Sequence, residues 1–288
     1  MTPGSEDNVL TCYRHPDRET GVSCSECGRP ICPDCMTFGP VGIRCPEHSG
    51  KPQGAKRVVQ TVQQRATRSG DPRIVTKAII GINVGIYLLQ LAQGAPLNAN
   101  GGTIWAHGVL YGPAVADGDW YRLLTAAFLH YGPIHLGLNM LAVWWLGGAL
   151  EASIGSLKYG LIYIVSGLAG SAGALIMAPT SFTVGASGAV FGILGAAIVL
   201  ERQGNLVFGG SALSLLVVNL AFTFAVPGIS IGGHLGGLAG GAASMLVLSR
   251  FGRRSVAYSR NDVLSIASIL AIGVLSIAVA YLKVRGYA

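Results

Sequence analysis

Gly185-Ala186-Ser187-Gly188 opens an apolar run that continues to about residue 202, and His234 opens a second such run 47 residues later. A serine followed by glycine is common. A serine and a histidine that both stand at the mouth of a segment hydrophobic enough for a bilayer are not, because polar and ionisable groups at membrane depth are expensive and are kept where they work. The rest of the chain decides whether this pair has a membrane around it.

Of the 288 residues, 51% are hydrophobic and 11% charged, against about 25% charged in ordinary soluble domains. Beyond Lys77 the charges thin into long uncharged runs, which predicts an all-α polytopic membrane protein. No basic start, short apolar stretch and small-residue cleavage site stands at the N-terminus, so no signal peptide is expected. Four regions follow: a cysteine-rich head over 1–50, a basic linker over 51–73, a membrane core over 74–249, and a basic loop with one more helix over 250–288.

The linker carries Lys51, Lys56, Arg57, Arg65, Arg68 and Arg73 against the single acid Asp71, with Lys77 just beyond. Beside a membrane span, such a run reads as cytoplasmic anchoring on anionic lipid. Nucleic acid is the weaker partner for it, since the charge adjoins a span.

Apolar runs that suit a crossing of about 30 Å fall near 74–93, 133–150, 157–177, 187–202, 206–226, 232–249 and 263–282. A basic N-terminus inside then puts Lys158, Arg202 and the cluster Arg250, Arg253, Arg254 and Arg260 inside too. Lys283 and Arg285 fall outside, and the outer segment 94–132 has Arg122 as its only Lys or Arg. Seven spans, N-in and C-out, are self-consistent; six remain possible if the last segment lies flat or the fourth fails to cross. The mixed aromatic and polar character of 94–132, with Trp105, Trp120 and Tyr121, suits an interfacial structure.

In this topology the second, fourth and sixth runs all start at the outer side. His135, Asn139, Ser187 and His234 therefore share one shallow layer. Ser187 needs an adjacent base to act as a nucleophile, and a neutral His234 imidazole can take its proton and return it to a leaving amine. The only acids past Asp119 are Glu151, Glu201 and Asp262, all assigned to the inner side, so a Ser-His dyad is expected rather than a triad. The esterase elbow Gly-x-Ser-x-Gly fails at Ala189. His135 and Asn139, spaced i, i+4, share a helical face and offer two N–H donors to an oxyanion, together with the Ser187 backbone N–H at a helix start. Gly188, Gly192 and Gly195 on one run, and Gly233, Gly237 and Gly241 on the other, permit close helix approach in lipid. Phe191, one turn after Ser187, can lie beside the imidazole. Catalysis needs no cofactor.

Residues 74–249 resemble the rhomboid family of intramembrane serine proteases. The resemblance is carried by Trp120-Tyr121-Arg122, His130, the stretch His135-Leu136-Gly137-Leu138-Asn139, Gly185-Ala186-Ser187-Gly188, and His234 with Gly237 and Gly241. It implies a six-helix core, with the last run as an added seventh helix, and a Ser187–His234 catalytic dyad. It also implies oxyanion stabilisation by His135 and Asn139 and a structural role for Trp120 and Arg122; His130 is read as stabilising the loop-to-helix junction. The substrates implied are transmembrane proteins cut near their outer ends, and the setting expected is a prokaryotic plasma membrane. Two departures stand out: Phe191 replaces the usual Tyr, and Gly233 the usual Ala. A transporter is disfavoured because the central spans lack paired acids; a noncatalytic membrane-protein adaptor is the other alternative.

All six cysteines fall in the head, as Cys12-x2-His15, Cys24-x2-Cys27, Cys32-x2-Cys35 and Cys45-x2-His48. Eight ligands in four pairs suffice for two structural, tetrahedral Zn2+ sites. The spacing favours cross-bracing, with Cys12, His15, Cys32 and Cys35 on one ion and Cys24, Cys27, Cys45 and His48 on the other, although sequential pairing is open. Disulfides fit a cytoplasmic head less well and leave the histidines unexplained. The head resembles a B-box-type zinc finger, which implies a cytoplasmic protein partner as one role and a structural module as another.

Overall fold

The computed structural model describes residues 10–38, 42–48, 73–97, 101–205, 207–252 and 258–287; side chains of 38, 250–252 and 258–262 are outside the description. The predicted basic linker, apart from Arg73, and the inner cluster Arg250, Arg253, Arg254 and Arg260 therefore lie outside the described residues or side chains. The chain divides into two compact units, 1–70 and 71–288.

The first unit is small and built from hairpins. Strand β1 (Thr11–Cys12) pairs antiparallel with β2 (His15–Glu19), and β3 (Thr37–Phe38) with β4 (Ile43–Arg44); a 3-10 turn covers Pro33–Cys35. Its interior is Ile31 and five buried cysteines, with Tyr13, Val22, Met36 and Ile43 against them. So few apolar side chains bury little area.

The second unit is helical. Helix α1 (Ile74–Ala92) is followed by three short helices, α2 (Gly102–Gly108), α3 (Gly112–Ala116) and α4 (Arg122–Thr125). Helix α5 (Pro133–Ala142) runs through a π turn at Val143–Gly147 into α6 (Gly148–Ile154). Then come α7 (Ser156–Met177), α8 (Ser187–Arg202), α9 (Ala212–Ala225), α10 (Ile231–Gly252) and α11 (Tyr258–Val284). Among the described residues, five spans are long and apolar enough to cross a membrane: 74–92, 133–154, 156–177, 231–249 and 263–287. This is an integral, multi-pass membrane protein. Helices α8 and α9, at 16 and 14 residues, are shorter; at 1.5 Å per residue they reach about 24 and 21 Å. Length alone thus supports five of the seven expected crossings.

Burial explains why α8 can be short. Eleven of its residues, among them Phe191, Ile193 and Leu194, are buried, so it meets protein on all sides. Irregular backbone at membrane depth is tolerated only inside protein, and the strand leading into α8 is held that way. Thr183 exchanges two backbone hydrogen bonds of 3.1 Å with Leu110, and Gly185 N–H donates to the Ala126 carbonyl at 2.9 Å. The outward faces of the other helices carry exposed apolar side chains such as Leu138, Leu141, Val217, Val218, Phe222, Val274 and Leu275, as lipid requires.

Glycine sets the packing of α8 against α10. A Cβ on Gly237 would run into the Gly188 carbonyl, and one on Gly241 into the Gly192 carbonyl. A second row, Gly232, Gly236 and Gly240, meets α7 at Gly173 and Ala169, so α10 is pressed between two neighbours. Small residues at this spacing give the van der Waals contact that holds helices together where water supplies no driving force.

Two acids that the sequence reading left without a role fasten helix starts. Glu151, 1% exposed, accepts hydrogen bonds from the Val75 and Thr76 N–H groups and the Thr76 and Ser156 hydroxyls at 2.6–3.0 Å. It closes the N-terminus of α1 from the middle of α6, satisfying donors that a helix leaves open. Glu201 does the same at the start of α9, accepting from Phe208, Gly210 and Ala212 N–H at 2.9–3.2 Å.

Candidate active site

Ser187 is the first residue of α8, and its Oγ lies 2.9 Å from Nε2 of His234, in the first turn of α10. Gly188 and Gly237 are what let the two helices come this close. The Phe191 ring stacks on the imidazole at 4.0 Å between centroids and 18° between planes. His234 is buried, and Ser187 partly so.

Beside this pair, Gly185 has a φ of +122°, a conformation that side chains rarely adopt, and a Cβ there would lie 2.7 Å from Cε1 of His135. Glycine is thus required on both counts. Nδ1 of His135 accepts a hydrogen bond from the Tyr131 N–H at 3.4 Å. A neutral ring that accepts at Nδ1 carries its proton on Nε2, the nitrogen beside Gly185. Nδ2 of Asn139 donates to the His135 carbonyl at 2.9 Å, and an amide nitrogen has a second N–H to give. Ser187 and Gly188 N–H stand in the first turn of α8, where no intrahelical acceptor exists. The residues expected as nucleophile, base and oxyanion donors are thus brought together from α8, α10 and α5.

The remaining expected residues surround this cluster. Arg122, 7% exposed, donates to Asp119 at 2.9 Å and to the Ala106 and Val109 carbonyls at 2.8 and 3.0 Å, which ties α2 to the start of α4. Trp120 packs against Tyr281 of α11 at 5.1 Å. His130 is buried with its ring 5.1 Å from that of His135.

One contact had no counterpart in the sequence reading. Oγ1 of Thr223, on α9, lies 2.7 Å from Nδ1 of His234. Thr223 is a single hydroxyl in a run of apolar residues, and only the fold shows which helix face it takes.

In the head, the eight cysteines and histidines gather into two groups: Cys12, His15, Cys32 and Cys35, and Cys24, Cys27, Cys45 and His48, with ligand atoms within 4.8 Å of one another in each. Nδ1 of His15 is 3.8, 3.3 and 3.4 Å from the sulfurs of Cys12, Cys32 and Cys35; Cys45 is 3.2 Å from Nδ1 of His48 and 3.8 Å from Cys27. A tetrahedral zinc with ordinary bond lengths separates sulfur from nitrogen by about 3.6 Å and sulfur from sulfur by about 3.8 Å, so the donor sets fit the ion. No disulfide joins any of the six cysteines. Their acidities are split apart by crowding. Burial opposes charge on Cys12, yet backbone donors at Cys32 and Arg14 and the His15 ring bring it down to about 6. Burial and then the neighbouring thiols of Cys12 and Cys32 push Cys35 up to about 11. Thiolates this close repel unless a cation sits among them.

The rhomboid domain matches residues 117–251. Rhomboid protease GluP of Bacillus subtilis (strain 168) is 36% identical over 211 residues, which cover 68% of this chain and 41% of GluP. Putative rhomboid protease YdcA of the same organism is 34% identical over 151 residues, 50% of this chain and 76% of YdcA. Rhomboid-type serine protease 2 of Emericella nidulans is 34% identical over 146 residues, 47% of this chain and 28% of that protein. The chain belongs to the rhomboid family. Its match spans less than half the length of GluP, and three quarters of YdcA.

Proposed function

We propose that this chain is an intramembrane serine endopeptidase that hydrolyses peptide bonds near the outer end of transmembrane proteins through a Ser187–His234 dyad. The observation that carries it is the 2.9 Å contact between Ser187 Oγ and His234 Nε2, set among membrane helices and flanked by His135 and Asn139.

As Ser187 Oγ attacks the scissile carbonyl carbon, its proton passes to Nε2 of His234. The carbonyl oxygen becomes an oxyanion, which accepts from His135 Nε2–H, the second Asn139 amide N–H and the Ser187 backbone N–H. The imidazolium then gives its proton to the leaving amine, and the acyl-enzyme remains. His234 next deprotonates a water, which attacks the ester; Ser187 recovers its proton as the new carboxylate leaves. Phe191 restrains the ring through both halves. A helical substrate hides its carbonyls, so the reading favours segments that unwind easily at one end.

The same reading has seven spans with the N-terminus cytoplasmic and the C-terminus outside, which places the site on the outer side and the basic linker against anionic lipid. In the head, Cys12, His15, Cys32 and Cys35 hold one structural Zn2+ and Cys24, Cys27, Cys45 and His48 a second. With all eight donors committed, no coordination position is open for catalysis, and the ions serve folding. A cytoplasmic protein is the partner the head would recruit.

The test is cleavage of single-span reporters by the full chain in liposomes. The native protein is expected to cut them and Ser187→Ala to insert and fold normally without cutting. Equal cleavage by both would remove Ser187 from the chemistry; a folded native chain that captures reporters without cutting any would favour the adaptor.

A further inference from the structure

Helix α9 turns most of its surface outward: Leu213, Val217, Val218, Phe222 and Phe224 are exposed, whereas Thr223 is 2% exposed. A buried hydroxyl needs partners, and Thr223 has two. Oγ1 donates to the Asn219 carbonyl at 2.7 Å, and it lies 2.7 Å from Nδ1 of His234. A threonine hydroxyl has one hydrogen, and a carbonyl oxygen only accepts. With that hydrogen directed to Asn219, the hydroxyl presents lone pairs to His234, and Nδ1 must carry the proton.

The consequence reaches the nucleophile. A neutral imidazole protonated at Nδ1 has its lone pair at Nε2, which is the atom facing Ser187 Oγ at 2.9 Å. The opposite tautomer would set the Nδ1 lone pair against the oxygen of Thr223, or pull the hydroxyl off Asn219. We propose that Thr223 is the positioning residue of His234: it selects the base-competent tautomer and holds the ring edge that Phe191 leaves unrestrained. It does with a neutral hydroxyl what a triad does with a carboxylate, orienting the imidazole without a charge that would have to be buried in the membrane. This rests on the dyad reading for its catalytic meaning, but the tautomer itself does not.

Two readouts separate these. Nitrogen NMR on histidine-labelled full-length protein in nanodiscs, with the His234 signal assigned by its loss in His234→Ala, reports the tautomer without any turnover. The native chain is expected to show His234 protonated at Nδ1, and Thr223→Val to show mixed tautomers. On reporter cleavage, Thr223→Val is expected to lower kcat about tenfold, the worth of one hydrogen bond, with KM unchanged, while Thr223→Ser stays within about twofold of native. A native His234 protonated at Nε2 would overturn the proposal even if every variant misfolded. So would a folded Thr223→Val with native kcat and native nitrogen signals. A chain that shows the Nδ1–H tautomer but cuts nothing would instead count against the dyad.

Discussion

The α8–α10 contact sets the distance between Ser187 and His234, so under the proposed mechanism a single methyl at Gly237 should disable the site. A Cβ there would lie 3.0 Å from the Gly188 Cα and closer still to its carbonyl carbon and oxygen. Carbon atoms prefer separations of about 3.5–4.0 Å, and every obstacle is backbone, so the helices must part by roughly 1 Å. Gly188 follows Ser187 directly and Gly237 is less than one turn past His234. The parting is therefore felt at the 2.9 Å Ser187–His234 contact, which widens beyond the roughly 3.2 Å reach of proton transfer. A 1 Å misplacement costs about 100-fold, or about 2.7 kcal/mol of barrier. Overpacking adds about 1–3 kcal/mol of destabilisation, less the helix-propensity gain of about 1 kcal/mol for replacing glycine. Gly237→Ala should thus stay folded, with kcat on a single-span reporter down at least 100-fold. Gly85→Ala on α1, where a Cβ meets nothing within 4 Å, is the control and should remain active. Native kcat in a folded Gly237→Ala chain would refute the claim that this contact spaces the dyad.

Three further outcomes follow from named contacts. His135→Ala and Asn139→Ala should each lower kcat by about 10- to 1000-fold, as loss of an oxyanion donor does, with little change in KM in steady-state assays. Arg122→Met leaves the Ala106 and Val109 carbonyls without the guanidinium that they accept from, and should destabilise the body by about 2–4 kcal/mol, read as a lower unfolding midpoint. Elemental analysis should find two zinc ions per chain and one in Cys32→Ser; protons compete with the metal for thiolates, so zinc should be retained at neutral pH and released as the pH falls.

Much of this was legible in the residues because each signal was local. The apolar runs near 74–93, 133–150, 157–177 and 232–249 reappear as α1, α5–α6, α7 and α10 within a few residues, since lipid leaves backbone no alternative to the helix. The four x2 pairs were local and readable, since each clasps an ion from a tight turn, but they left sequential pairing open; the grouping of Cys12, His15, Cys32 and Cys35 apart from Cys24, Cys27, Cys45 and His48 is seen only in the fold. The i, i+4 spacing of His135 and Asn139 and the one-turn spacing of Ser187 and Phe191 survive because helices preserve them.

What was not legible depends on how distant segments meet. Thr223 reads as an ordinary threonine in an apolar run; its value lies in the rotation of α9. Glu151 and Glu201 read as charges marking the inner ends of spans, whereas each accepts from a helix start that the chain reaches elsewhere. The second glycine row of α10 was hidden because Gly232, Gly236 and Gly240 matter only once α7 is known to lie against them. The three short helices of 101–125 have no hydrophobic period long enough to announce them.

The proposed chemistry requires Ser187 to be a nucleophile made reactive by His234, and covalent capture measures that without choosing a substrate. After treatment of the reconstituted chain with a serine-reactive fluorophosphonate, peptide mass spectrometry should find the phosphonate on Ser187, and His234→Ala should lose it while remaining folded. Adduct on other serines alone, or equal capture by Ser187 when His234 is gone, would contradict the account.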